Sequence, residues 1–246
     1  MCKNESAENS RINRIRESEA RSHTEIYTKE KLYETDTWLK KPVKTVVELM
    51  NAFSDHYGLR VLDLGCGIGR NSIFIAETFK GRECMIDCVD ILEKAVQILE
   101  KNAVEHGVKN RINGTVKAVE EYDIAKNTYD LILAVSALEH IDTEEHFIEK
   151  LNEIRNGVRE GGIVCLIINS EVTETDIETN EALEPAFEVN LPTERVLEYL
   201  EDAFCGWHIL RQNVVSEEYS IPRDGRISRL TSKVITFVAE YCIEYF

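Results

Sequence analysis

The chain is predicted to fold as an α/β protein: a doubly wound, mainly parallel seven-stranded sheet with an antiparallel C-terminal strand and an N-terminal helical extension. Three observations in the 246-residue sequence lead there. Between residues 60 and 169, short β-branched runs alternate with segments of helical period. Such βαβαβ repetition is satisfied by right-handed crossovers that place helices on both faces of a parallel sheet. The last third carries two strand-like runs joined by a hairpin-length connection, so one of them must run against the rest. The first 32 residues instead form a polar stretch, free of Gly and Pro from about Glu5, with a narrow apolar stripe of Ile12, Ile15 and Ala20.

In chain order, the polar helix leads to Pro42, which opens an amphipathic helix. Val43, Val46, Val47, Met50 and Phe53 recur there at helical spacing, and Gly58 stands just past its end. Strands are expected at 60–64, 83–89, 112–118, 129–135 and 162–169, with helices at 70–78, 91–106 and 143–158 between them. Gly107 is a natural stop for the middle helix. A helix at 193–203, a strand from near Trp207, a polar turn containing Pro222 and Gly225, and an apolar run at 230–241 complete the chain. With no internal repeat or Pro-rich linker, the organisation reads as an arm or lid over 1–40 and one domain over 41–246.

Composition narrows the partners. At 43% hydrophobic the chain can build a full core, while 45 acidic against 29 basic side chains leave a net charge of −16. A surface this negative repels phosphate backbones, which argues against nucleic acid as a partner. The charge is uneven: residues 1–45 carry 10 basic and 8 acidic side chains, whereas 171–205 hold 11 acidic and one basic. The seven cysteines, Cys2 among them, are scattered with neither a Cys-x-x-Cys pair nor zinc spacing, so a reduced protein without a metal is expected. The N-terminus has no apolar signal-peptide core and no run of eighteen apolar residues occurs, which points to a soluble, cytoplasmic protein without a membrane partner. Nothing in the sequence sets the oligomeric state.

The strongest local signal is VLDLGCGIGRNS at 61–72, a strand running through Asp63 into Gly65, Cys66, Gly67 and Gly69 and then a helix. Missing Cβ atoms let backbone approach a ligand closely. The dinucleotide fingerprint Gly-x-Gly-x-x-Gly fails, because the third glycine position is Arg70 in one register and Ser72 in the other. No Gly-Lys-Ser or Gly-Lys-Thr follows, which excludes a P-loop. A ligand-free tight turn is the remaining plain alternative.

The segment resembles motif I of the class I S-adenosylmethionine-dependent methyltransferases, and the likeness continues in order from about residue 60 to 169. It implies a Rossmann-like fold, S-adenosylmethionine as cofactor, and in-line transfer of a methyl group to a small-molecule acceptor. On that resemblance Asp63, Gly65, Cys66, Gly67 and Gly69 belong to the cofactor loop. Asp90, 21 residues beyond Gly69, would take the ribose hydroxyls, or cap the next helix, or both. Ile91 would pack on adenine, with Val119 and either Glu120 or Glu121 near its amino group. Ser136 would line the methionine part, and Tyr27 of the arm would fold over the cofactor or simply pack on the sheet edge. His140, in the string Leu-Glu-His-Ile, is either a general base or a packed structural group. Arg70 and Asn71 are expected to bind backbone and orient the loop.

Subfamily signals pull apart. Gly-x-Gly-Arg-Asn-Ser is similar to the tellurite-resistance type, but the Leu-Glu-His-Ile string and long arm depart from it, which argues against a metalloid substrate. Asn-Pro-Pro-Tyr is absent after the fourth strand and no proline precedes a cysteine, so base-amino and cytosine-C5 methylation are disfavoured. The acidic stretch after the fifth strand is either a solvated face or a surface favouring a cationic acceptor. Two other classes stay open: a nucleoside-binding sensor or scaffold without chemistry, and an NAD-dependent enzyme.

Overall fold

The computed structural model describes residues 2–34, 36–223 and 225–242, and the side chains of residues 7–34, 36–221 and 225–242. The Cys2 and Pro222 side chains named above lie outside that set. The chain opens with α1 (Cys2–Lys29), α2 (Lys44–Leu49), β1 (Gly58–Leu64), α3 (Arg70–Thr78), β2 (Glu83–Asp90), α4 (Glu93–Glu105), β3 (Ile112–Val116) and β4 (Tyr129–Val135). Then come α5 (Glu144–Gly157), β5 (Val158–Asp176), β6 (Ala182–Leu183), α6 (Thr193–Ala203), β7 (His208–Arg223) and β8 (Arg226–Glu240).

The sheet runs β3-β2-β1-β4-β5-β8-β7, with the two-residue β6 attached to β5. Strands β1 to β5 pair in parallel, and β8 runs antiparallel to both β5 and β7. One reversed strand among the seven on the main path matches the expected architecture. Strand order reverses between β1 and β4, which leaves a crevice at their carboxyl ends, where open α/β sheets bind ligands. Along β1 and β4 the side chains alternate between two cores. Val61, Leu131 and Leu133 join Ile73 and Leu99 of α3 and α4, whereas Leu62, Leu64 and Ile132 join Phe147 and Leu151 of α5. Thr143 caps α5 by accepting from the N–H of His146, with Glu144 and Glu145 in the first turn to match the helix dipole.

Two expectations are corrected by tertiary context. The helix opened at Pro42 is α-helical only over Lys44–Leu49; Met50 to Phe53 continue with i to i−3 hydrogen bonds, and Gly58 begins β1 rather than ending the helix. Asn51 and Ser54 are poor helix interiors, while Val46, Met50 and Phe53 remain buried as their spacing implied. The fifth strand extends to Asp176, because polar residues 171–176, which read as loop, find β8 as a partner through Thr231 to Ser228. Part of the acidic stretch is therefore strand.

The N-terminal arm is fastened to the domain. Ile12, Ile15, Tyr27, Leu32 and Leu39 are buried, and Tyr27, Leu32 and Leu39 join the core that contains Val61 and Ile73. At the other side, β7 forms an outer edge on which Ile209, Leu210, Val214, Val215 and Tyr219 are exposed. No helix among the described residues is long and apolar enough to cross a membrane.

Phe147 is the largest side chain sealing α5 to the sheet, with 1% of its surface exposed. Phe147→Ala is expected to cost about 3–5 kcal/mol, through lost transfer energy and the cavity left behind. Urea denaturation followed by circular dichroism measures it, and a loss below about 1 kcal/mol would contradict this packing.

Candidate functional site

A cavity of about 450 Å³ opens at the reversal point, between the carboxyl ends of the strands and α1. Its floor begins at Gly65, whose φ of 70° is left-handed and whose missing Cβ would otherwise lie 2.4 Å from Cβ of Ala137. Gly67 has a φ of 53°, and a Cβ there would meet the Tyr27 hydroxyl at 2.9 Å. The glycine loop thus lets two neighbours close in, one from the segment after β4 and one from the arm.

Asp90, at the tip of β2, holds this loop. Its Oδ2 accepts from the Gly67 N–H at 2.8 Å and its Oδ1 from the Leu92 N–H at 2.9 Å, so it pins the loop and starts α4 together. Burial raises its pKa, partly offset by those two backbone bonds. A carboxylate offers about four lone-pair directions, so two remain for a ligand. Asp63 lies deeper, in contact with the Ser72 hydroxyl, and burial pushes its carboxyl up to about 7.

Gly65, Asp90, Ile91, Val119, Glu120, Ser136, His140 and Tyr27 all line the cavity, whereas Asp63, Cys66, Gly67 and Gly69 are not among its lining residues. Of the two glutamates, Glu120 lines the cavity and Glu121 is exposed. Ser136 adopts a φ of 50°, uncommon for a side-chain-bearing residue, held by its N–H to the Ile167 carbonyl at 2.8 Å. Arg70 donates to the Trp38 carbonyl at 2.7 Å and Asn71 accepts from the Val43 N–H at 3.0 Å, both backbone-orienting roles.

Sequence reasoning missed two residues at the centre of the site. Arg16 of α1 reaches Glu120 and also Glu188, at 3.3 Å from Nε to Oε1. Glu188 in turn bonds His140 Nδ1 through Oε2 at 2.9 Å, with the His140 ring stacked on Phe187. Arg11 ties the arm to the same segment, donating to the Phe187 carbonyl at 3.1 Å and to Glu184 at 2.9 Å. A polar chain Glu120–Arg16–Glu188–His140 therefore crosses the cavity. The uneven charge of arm and acidic stretch was its one trace in the sequence.

Burial opposes charge on His140, but the bond to Glu188 and the charges of Glu139 and Glu188 outweigh it and push its pKa up to about 9. At neutral pH it holds its proton and acts as a donor. The neighbouring Glu139 turns inward, accepting from the backbone and side chain of Asn169 at 3.1 and 2.5 Å.

Among the described residues, one group able to hold a metal ion is His208, Glu240 and Cys242. It lies where Glu240 pairs with Ile163, toward the amino end of the parallel strands and away from the cavity.

Comparison with known proteins bears on this arrangement. A family profile described as a methyltransferase domain matches residues 61–162, from β1 through the glycine loop, Asp90 and His140 to β5. Residues 61–162 are thus similar to a methyltransferase domain. Its curated relatives include a ubiquinone biosynthesis O-methyltransferase of Rickettsia conorii, 29% identical over 53% of this chain and 41% of that protein. Ajmaline N-methyltransferase of Rauvolfia serpentina is 25% identical over 63% of this chain and 49% of its own length. The chain thus spans about half or less of the relatives it matches. Among solved structures, TehB of Haemophilus influenzae aligns with a TM-score of 0.58 at 19% identity, over 79% of this chain and 62% of that one. SpnF, named a [4+2]-cyclase, aligns with a TM-score of 0.59 at 17% identity over 85% and 86%. These structures share the domain's fold, and the cyclase among them shows that the fold alone does not set the reaction.

Because the pKa of His140 is raised, the stability it contributes is fully present below its ordinary value of about 6.5 and is lost as pH rises through about 9. Titration of the His140 ring by NMR is expected to show a midpoint near 9. Glu188→Gln is expected to bring it back toward the ordinary histidine range. An unchanged midpoint in that variant would contradict the pairing.

Proposed function

We propose that the chain transfers a methyl group from S-adenosylmethionine to a small-molecule acceptor. The single observation that carries this is the cavity at the sheet reversal, floored by Gly65 and walled by Asp90 with two acceptor directions free. The residues present fit the cofactor. Asp90 would accept from the two ribose hydroxyls, Ile91 and Val119 would flank the purine with apolar surface, and Glu120 would face its amino group. Gly65 and Ser136 would border the methionine part, under Tyr27 of a lid formed by residues 1–40.

The cofactor supplies an activated methyl on a sulfonium, so the task left to the chain is alignment and exclusion of water. Orientation of this kind is worth roughly 7–11 kcal/mol of barrier. Tyr27, His23 and Arg16 cover the cavity from the arm side, and His140 with Glu188 closes it opposite. His140 would present a charged donor to the acceptor rather than remove its proton at neutral pH. The named relatives methylate oxygen or nitrogen of small molecules, which supports the acceptor class.

Calorimetry is expected to show S-adenosylhomocysteine binding. Asp90→Ala should weaken it about 100-fold, as two charge-assisted hydrogen bonds are lost. Absence of binding to the unaltered chain, or full affinity in the variant, would refute the assignment.

A further inference from the structure

The Arg16 guanidinium enters the cavity from α1 and sits between two carboxylates from elsewhere in the chain, Glu120 after β3 and Glu188 before α6. Glu188 has 3% of its side chain exposed, and it divides its oxygens: Oε2 holds His140 and Oε1 faces Arg16. The contact to Oε1 comes from Arg16 of the arm, which also reaches the Glu188 carbonyl through Arg11, whereas Glu188 and His140 are joined within the domain. With Arg16 withdrawn, Oε1 becomes a buried carboxylate oxygen turned toward the acceptor space without its counter-ion, a costly state that a cation of another origin relieves.

The rest of the lining favours the same sign. Five carboxylates border the cavity against the cations Arg16 and His140. In a concave, low-dielectric site such an excess concentrates cations and repels anions. Nδ1 of His23, on the same wall, is buried without a hydrogen-bond partner, an open polar position beside the Arg16 helix face.

We propose that the methyl acceptor carries a protonated amine, anchored on Oε1 of Glu188 in the place that Arg16 of the arm fills. This rests on the methyltransferase reading and adds the acceptor's chemical class to it. Replacing one monovalent cation by another leaves the local charge count unchanged, so Glu188 and His140 keep their pairing. Because the amine takes over a contact that fastens the arm, acceptor entry and release of Arg16 are the same event. A carboxylate-bearing acceptor would instead face Glu188 directly, and a neutral one would leave Oε1 unpaired.

The test uses the full chain saturated with S-adenosylhomocysteine and three probes of one shape: benzylamine, benzyl alcohol and benzoate. Ligand-observed NMR titration is expected to rank benzylamine about tenfold above the alcohol, with benzoate weakest. Arg16→Ala should strengthen benzylamine binding several-fold, because the competing guanidinium is gone. Glu188→Gln, checked for folding by thermal melting, should erase the preference. Benzoate binding most tightly, parity among the three, or weaker benzylamine binding in Arg16→Ala would each overturn the proposal. In those cases retained S-adenosylhomocysteine binding leaves the methyltransferase assignment standing, whereas its absence removes both.

Discussion

The hydrogen bond from the Gly67 N–H to Asp90 is the contact on which the site depends. It joins the tips of two adjacent parallel strands and sets the curvature of the loop between β1 and α3. Through its second oxygen the same carboxylate fixes the start of α4. Glycine at residue 67 is needed because the backbone turns left-handed there and because Tyr27 comes down on it. Loop, neighbouring strand and arm are thereby mutually positioned, and preorganisation of this kind lowers the ordering cost of binding.

A second level of order is electrostatic. The arm is close to neutral while the segment following β5 is strongly acidic, and the two meet through Arg11 and Arg16. Isolated surface ion pairs contribute little, but Glu120 and Glu188 are almost fully buried, so their contacts to Arg16 operate where solvent screens poorly. The raised pKa of His140 arises from the same cluster. Arg16 of the arm and His140 thus share Glu188 as a partner.

Much of this was legible in the sequence, for identifiable reasons. Strand β4 matches its expected span because alternate apolar residues serve the two cores, a period-two signal carried by the chain itself. The glycine loop and Asp90 stood out because their residue types answer to local backbone geometry. Arg16 and Glu188 were invisible: they lie 172 positions apart, and one arginine or glutamate in a charged helix or acidic stretch looks like any other. The far end of β5 was missed for a related reason, since Thr173 to Asp176 acquire strand geometry from pairing with the distant β8 and the short β6. Residues such as Gly69 carried a strong motif signal yet serve packing here, where an added Cβ would strike Leu99 at 2.4 Å.

The outermost strand, β7, has a further bearing on how the molecule behaves in a crowded solution. A row of free peptide groups flanked by Val214, Val215 and Tyr219 is a template on which another copy can add. Arg211, Glu217 and Glu218 interrupt that row, and the overall charge of −16 makes identical molecules repel before their borders meet. The surplus of carboxylates thus acts as a colloidal safeguard for an uncovered sheet margin.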